Sequence, residues 1–138
     1  MLAFGERRPG VAYVRRPGSY ALIVDEEGRA AAVRTAQGLF LLGGGAEPGE
    51  TPEEALRREV LEESGHEVLA AEPLAQALEY VSAAEGHFAK ECTFFRVRLG
   101  ARVGEPYDAR HVLCWLPAAE VVRDLAHRSQ AWALEQIA

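Results

Sequence analysis

Asparagine is absent from this 138-residue chain, and a single lysine stands against fourteen arginines. A heat-adapted protein would lack asparagine, but a GC-rich gene does so equally well, and scarce lysine runs against the hyperthermophile pattern. Cysteine is nearly missing too. Cys92 and Cys114 stand alone in strand-like sequence, without the paired spacing of a zinc site or redox motif, and read as reduced packing residues. No apolar run has the length of a membrane span; the densest, Leu39 to Leu42, is far too short. The N-terminal residues carry Glu6, Arg7, Arg8 and Pro9 in place of a signal-type apolar core, so the expected compartment is the cytoplasm. A basic excess is also lacking. Fifteen Lys and Arg against 21 Asp and Glu give a net charge of -6, which argues against nucleic acid or an anionic membrane as main partner.

What is present fits an ordinary globular protein. Hydrophobic residues make up 49% and charged residues 26%, and the length suits one domain over residues 1–138. No repeat or linker interrupts it. Short strands are expected at Val11 to Val14, Tyr20 to Val24, Ala30 to Arg34 and Leu39 to Leu42, the last running into Gly43-Gly44-Gly45. A helix of about four turns follows. Further strands are expected near Glu67 to Leu69, Ala75 to Ser82, Phe88 to Leu99 and Val112 to Leu116. Two helices close the chain, one through Leu125 and one from about Ser129 to Ile137. Strands with helices inserted and appended predict an α/β fold with a mixed sheet. Trp115, Trp132 and the pair Phe94-Phe95 read as core, and Tyr80 as core before base-stacking.

The informative segment is Gly43 to His66, GGGAEPGETPEEALRREVLEESGH. Thr51 is a good N-cap, Pro52 suits the first helical position, and Glu54 completes a capping box. Gly65 is placed for a left-handed C-terminal cap. At 3.6 residues per turn, Glu59, Glu62 and Glu63 share an arc of roughly 100°, with small Ala55 one turn before Glu59. Three carboxylates at this spacing repel one another. Arg58 can hold Glu62 at i+4, and a hard divalent cation, Mg²⁺ or Mn²⁺, is the natural partner for the rest. The preceding glycines let backbone approach a metal or phosphate closely. A glycine-rich loop facing an acidic helix suits displacement at phosphorus, with a carboxylate positioning or deprotonating water.

These residues resemble the box of the Nudix hydrolases: Gly44, Glu50, Arg58-Glu59, Val60, Glu62-Glu63 and Gly65 stand in its register. His66 departs from it, replacing an aliphatic residue at the start of the next strand. The resemblance implies an α/β/α sandwich whose metal is held by Glu59, Glu62, Glu63 and a glycine carbonyl, most simply that of Gly44. It implies an orienting ion pair between Glu50 and Arg58. Glu59 or Glu62 would activate water, with Glu105 and Asp108 as weaker candidates on a later loop. Arg34 resembles an arginine that grips substrate phosphates in MutT-like members, although a plain surface arginine is as good a reading for Arg34, Arg96 and Arg98. His66, His87, His111 and His127 share no spacing and read as structural or exposed.

The implied partner is a small nucleotide: a nucleoside diphosphate linked to a group X. Markers for coenzyme A, NADH and ADP-ribose hydrolases are missing, which leaves a MutT-like nucleoside tri- or diphosphate hydrolase ahead. Nucleotide sugars, ADP-ribose and dinucleoside polyphosphates follow, and a non-catalytic nucleotide-binding module is the reading from another class. For oligomeric state, a homodimer is the expectation from general frequency alone.

Overall fold

The computed structural model describes all 138 residues. Its elements run β1 (Leu2–Phe4), β2 (Val14–Leu22), β3 (Arg29–Thr35), β4 (Gly38–Phe40), β5 (Gly43–Gly45), α1 (Pro52–Ser64), β6 (His66–Ala83), β7 (Gly86–Arg102), β8 (Val112–Pro117), α2 (Ala118–Asp124) and α3 (Arg128–Glu135). A five-stranded mixed sheet has the order β1-β6-β7-β2-β5, and a three-stranded antiparallel sheet the order β4-β3-β8. They meet where the Ala21 amide donates to the Leu42 carbonyl (2.8 Å) and the Ala31 amide to the Ile23 carbonyl (3.0 Å).

Strand alternation sends successive side chains to opposite faces, and each face has its own core. Leu22, Ala32, Leu41 and Phe94 pack with Val121, Leu125 and Leu134 from α2 and α3. Ile23, Val33, Leu42 and Phe95 pack with Leu56 and Val60 from α1. The result is the expected α/β/α sandwich. No helix is long and apolar enough to cross a membrane.

Several element boundaries differ from those expected. Val11 to Tyr13 lie outside any strand, and β2 runs instead from Val14 through Pro17-Gly18 to Leu22. Pro17 is tolerated there because β5 pairs with β2 only from Gly18 to Tyr20, so one side of β2 is an edge at Pro17. Leu39 to Leu42 is not one strand: the chain leaves β4 after Phe40 and switches sheets, and the orphaned Leu41 amide is satisfied by Gln130 Oε1 at 2.8 Å. The glycine run is itself a strand, β5, hydrogen-bonded to β2. The two segments expected from Glu67 to Ser82 are one strand, β6, whose register shifts around Val68 and at Pro73–Ala75 absorb the interruptions. His66 does begin that strand.

Phe94 and Phe95 are buried, and Trp132 packs against the core beside Phe4. Trp115 does not: on the edge strand β8 it is 36% exposed. Tyr80 is half-buried against Tyr13. Both cysteines are free, Cys92 buried and Cys114 only partly so.

Candidate active site

The site is built where α1 lies against β5. Thr51 Oγ1 accepts the Glu54 amide (3.2 Å) and Glu54 Oε1 accepts the Thr51 amide (2.9 Å), completing the capping box. Gly65 closes the helix at φ 75° with its amide on the Leu61 carbonyl. The buried Ser19 hydroxyl of β2 donates to the Pro52 carbonyl at 2.7 Å, tethering the helix start to the sheet. With Ala55, Leu56 and Val60 buried, the helix can present only one rotation, and that rotation turns Glu59 and Glu63 toward the glycine strand.

Contact there is close. A Cβ on Gly44 would stand 2.7 Å from the Glu59 carboxyl carbon and 2.8 and 2.9 Å from its oxygens, so glycine is what lets the strand lie against Glu59 in its present position. The neighbouring Gly43 amide donates to Glu63 Oε1 at 2.7 Å. Arg58 ties the segment together: Nε and Nη2 grip Glu50 at 2.7 and 2.9 Å, Nη2 also donates to the Gly45 carbonyl at 3.0 Å, and Nη1 reaches Glu59 at 3.0 Å and Glu62 at 3.3 Å. Sequence reasoning gave Arg58 two of these acids; the structure gives it a third, Glu59.

The carboxyl groups are unequal. The two hydrogen bonds from Arg58, with the Glu47 amide, hold Glu50 down to about 2. Burial pushes Glu63 up to about 8, and the charges of Glu59 and Glu62 push the same way. Burial also raises Glu59, against the downward pull of Arg58. Acids raised by burial, as Glu63 and Glu59 are, would return to their charged form beside a cation.

The loop between β7 and β8 closes the end of the helix, with the Tyr107 amide donating to the Glu62 carbonyl at 2.8 Å. It brings His111, which sequence reasoning set aside, to 3.8 Å from Glu63 and 3.8 Å from Asp108. Asp108 itself is engaged by Arg110 (3.0 Å), which holds its carboxyl down to about 2. Glu105 pairs with Arg102 at 2.8 Å on the surface. Arg34 is not brought to this site. It is exposed on the face of β3 opposite Val33, where its charge acts on Asp124 of α2. Arg96 and Arg98 line a different cavity, beside Ile137.

From Glu63 and the glycine strand a cavity of about 390 Å³ extends over the sheet, lined among others by Tyr20, Phe40, Lys90, His111 and Gln130. Burial, reinforced by the Lys90 charge, holds the His127 imidazole at its rim below the usual range. Tyr20, Lys90 and Gln130 carried no sequence signal, since each arrives from a separate element.

Geometry and matches to known proteins converge. The NUDIX domain profile matches residues 14–136, nearly the whole chain, and the protein belongs to the Nudix family of pyrophosphohydrolases, enzymes that generally use a divalent metal and act on small nucleotides. Among solved structures, the MutT protein of Methanosarcina mazei Go1 is similar at TM-score 0.72 and 20% identity, over 92% of this chain and 95% of that one. A MutT Nudix hydrolase from Burkholderia pseudomallei gives 0.68 at 23% identity, over 90% and 98%. The MutT protein of Bacillus halodurans gives 0.70 at 18%, over 87% and 80%. At these identities the likeness speaks for the fold. No curated protein matches the sequence.

Proposed function

We propose that this chain is one Nudix domain acting as a Mg²⁺-dependent pyrophosphohydrolase on a nucleoside diphosphate linked to X, with nucleoside tri- and diphosphates first among substrates. The observation that carries this reading is the approach of Gly44 to Glu59, with Glu62 and Glu63 on the same helix. As they stand, no three acidic, histidine or cysteine side chains converge into a cage; Glu59 and Glu62 share Arg58 Nη1, and Glu63 takes the Gly43 amide. The donor set nevertheless fits: it is all oxygen, burial raises Glu63 well above the ordinary carboxylate range, and a glycine leaves the space open. Glu59, Glu62, Glu63 and the Gly44 carbonyl would hold Mg²⁺, with Mn²⁺ as substitute.

Bound there, a divalent cation polarises the phosphoryl oxygens and lowers the pKa of water. The chain's own groups do the rest. Glu59 or Glu62 takes the proton of the attacking water, whose oxygen bonds to phosphorus as the bridging P–O bond breaks. Nucleoside monophosphate leaves, with pyrophosphate, phosphate or phosphorylated X. Arg58, locked by Glu50 and bound to the Gly45 carbonyl, keeps strand and helix in register for this step.

The test is a pair of variants. Glu59→Gln and Glu62→Gln are expected to lower kcat about 100-fold or more, as loss of acid–base and ligand chemistry does, with melting temperature unchanged or raised. Full turnover in both variants would remove the acidic face from the mechanism.

A further inference from the structure

The cleft does not end at Tyr20. A second cavity, about 560 Å³, continues along the same face of the five-stranded sheet and shares Tyr20, Gly45 and Lys90 with the first. Its floor follows from strand alternation: Arg16 and Gly18 from β2, Phe88 and Lys90 from β7, Val81 from β6. Because β2 and β7 pair in parallel with Arg16 opposite Lys90, two cations stand side by side in one groove.

Neither has a counter-ion within the chain, although acids outnumber bases 21 to 15. Arg15, the next residue along, pairs with Glu91 at 3.5 Å, and alternation sets both on the other face of the sheet. Glu79, the cross-strand neighbour of Lys90, is buried and turned to the Ser129 amide at 2.9 Å. The one acid that lines the second cavity, Glu85 in the β6–β7 turn, bonds neither cation. Arg16 is instead held over the Phe88 ring, 4.5 Å from its centroid. Like charges facing each other on adjacent strands repel unless something between them is negative. A groove with one wall on the glycine strand, where a diphosphate would lie, and two unpaired cations further along is shaped for a continuing anion.

We infer that Arg16 and Lys90 form a subsite for a further phosphate on the far arm of the substrate, so that X is or carries a phosphate, as in a nucleoside triphosphate or a polyphosphate-bridged nucleotide, and is not a neutral sugar. The placement of the diphosphate beside Gly44 and Glu59 rests on the proposed function; the cation pair does not. Arg and Lys suit phosphate oxygens through charge-assisted hydrogen bonds, and the ring beneath Arg16 keeps its guanidinium oriented toward the groove.

Two measurements test this. In the first, inorganic tripolyphosphate is titrated by calorimetry, without divalent metal, into the wild-type protein, Lys90→Gln, Arg16→Gln and Lys90→Arg. Each Gln variant is expected to bind about tenfold more weakly, and Lys90→Arg to bind like wild type. In the second, kcat/KM with Mg²⁺ is compared for a nucleoside triphosphate and a nucleoside diphosphate sugar. The ratio between them is expected to fall about tenfold in each Gln variant, through KM. Equal tripolyphosphate affinity in all four proteins, or an unchanged substrate ratio, would overturn the subsite. Should the wild-type protein hydrolyse neither substrate, the proposed hydrolysis fails, while the titration still decides the subsite by itself.

Discussion

Glu63 is the residue on which protonation and stability meet. Its carboxyl is mostly buried, accepts the Gly43 amide, and titrates near 8 where a free carboxyl titrates at 4.5. The unfolded chain loses this proton first, so between pH 4.5 and 8 the folded state binds more protons than the unfolded one, and stability falls as pH rises through that window. Glu63→Gln removes the penalty and keeps an oxygen for the Gly43 amide. In chelator at pH 8 the variant is expected to be more stable by on the order of 1–3 kcal/mol, several degrees in Tm, with the difference closing toward pH 4.5. Thermal unfolding across this pH range checks it; a gap independent of pH would mean that Glu63 does not titrate as described. At this scale the sequence was informative where helix periodicity alone sets neighbours. Glu59, Glu62 and Glu63 could be placed on one face from spacing, and Arg58 beside them. His111, Lys90 and Gln130 could not, because only the pairing of distant strands and the docking of α3 bring them to the cleft.

At the scale of elements, β5 is the least conventional part. Three glycines form a strand because its two faces are claimed by different neighbours. Gly43 lies at φ 143°, and a Cβ there would strike the Ser19 carbonyl and the Tyr20 backbone; Gly44 has no such backbone restriction, but its Cβ would meet the Glu59 carboxylate. The two alanine variants should therefore separate. Gly43→Ala is expected to destabilise the fold by about 2 kcal/mol or more. Gly44→Ala is expected to leave stability within about 1 kcal/mol of wild type, since a side chain can swing away, while kcat drops at least tenfold. Equal losses of stability would show that the Glu59 contact is structural. Sequence patterns read the ends of α1 correctly because caps are local chemistry. They misplaced β2, β4 and β6, where Pro17, the sheet switch at Leu41 and the bulge at Pro73 are tolerated only through tertiary partners. No single-strand pattern carries those partners.

For the whole molecule, the sandwich divides labour between its faces. The α1 side and the glycine strand assemble the acids. The opposite face of the sheet, between α3 and the β6–β7 hairpin, offers a cleft with polar and cationic walls. A substrate negative along its diphosphate and extended at both ends fits a protein that concentrates carboxylates at one point and leaves its one lysine unpaired nearby. The most direct test of hydrolysis at the acidic helix face is product analysis by ³¹P spectroscopy. A nucleoside triphosphate would be incubated in ¹⁸O-water with the wild-type protein and Glu62→Gln, each with Mg²⁺ and with chelator. Nucleoside monophosphate is expected only from the wild-type protein with Mg²⁺, with one ¹⁸O on a single product phosphorus. Equal release in chelator, or undiminished release by Glu62→Gln, would contradict the account.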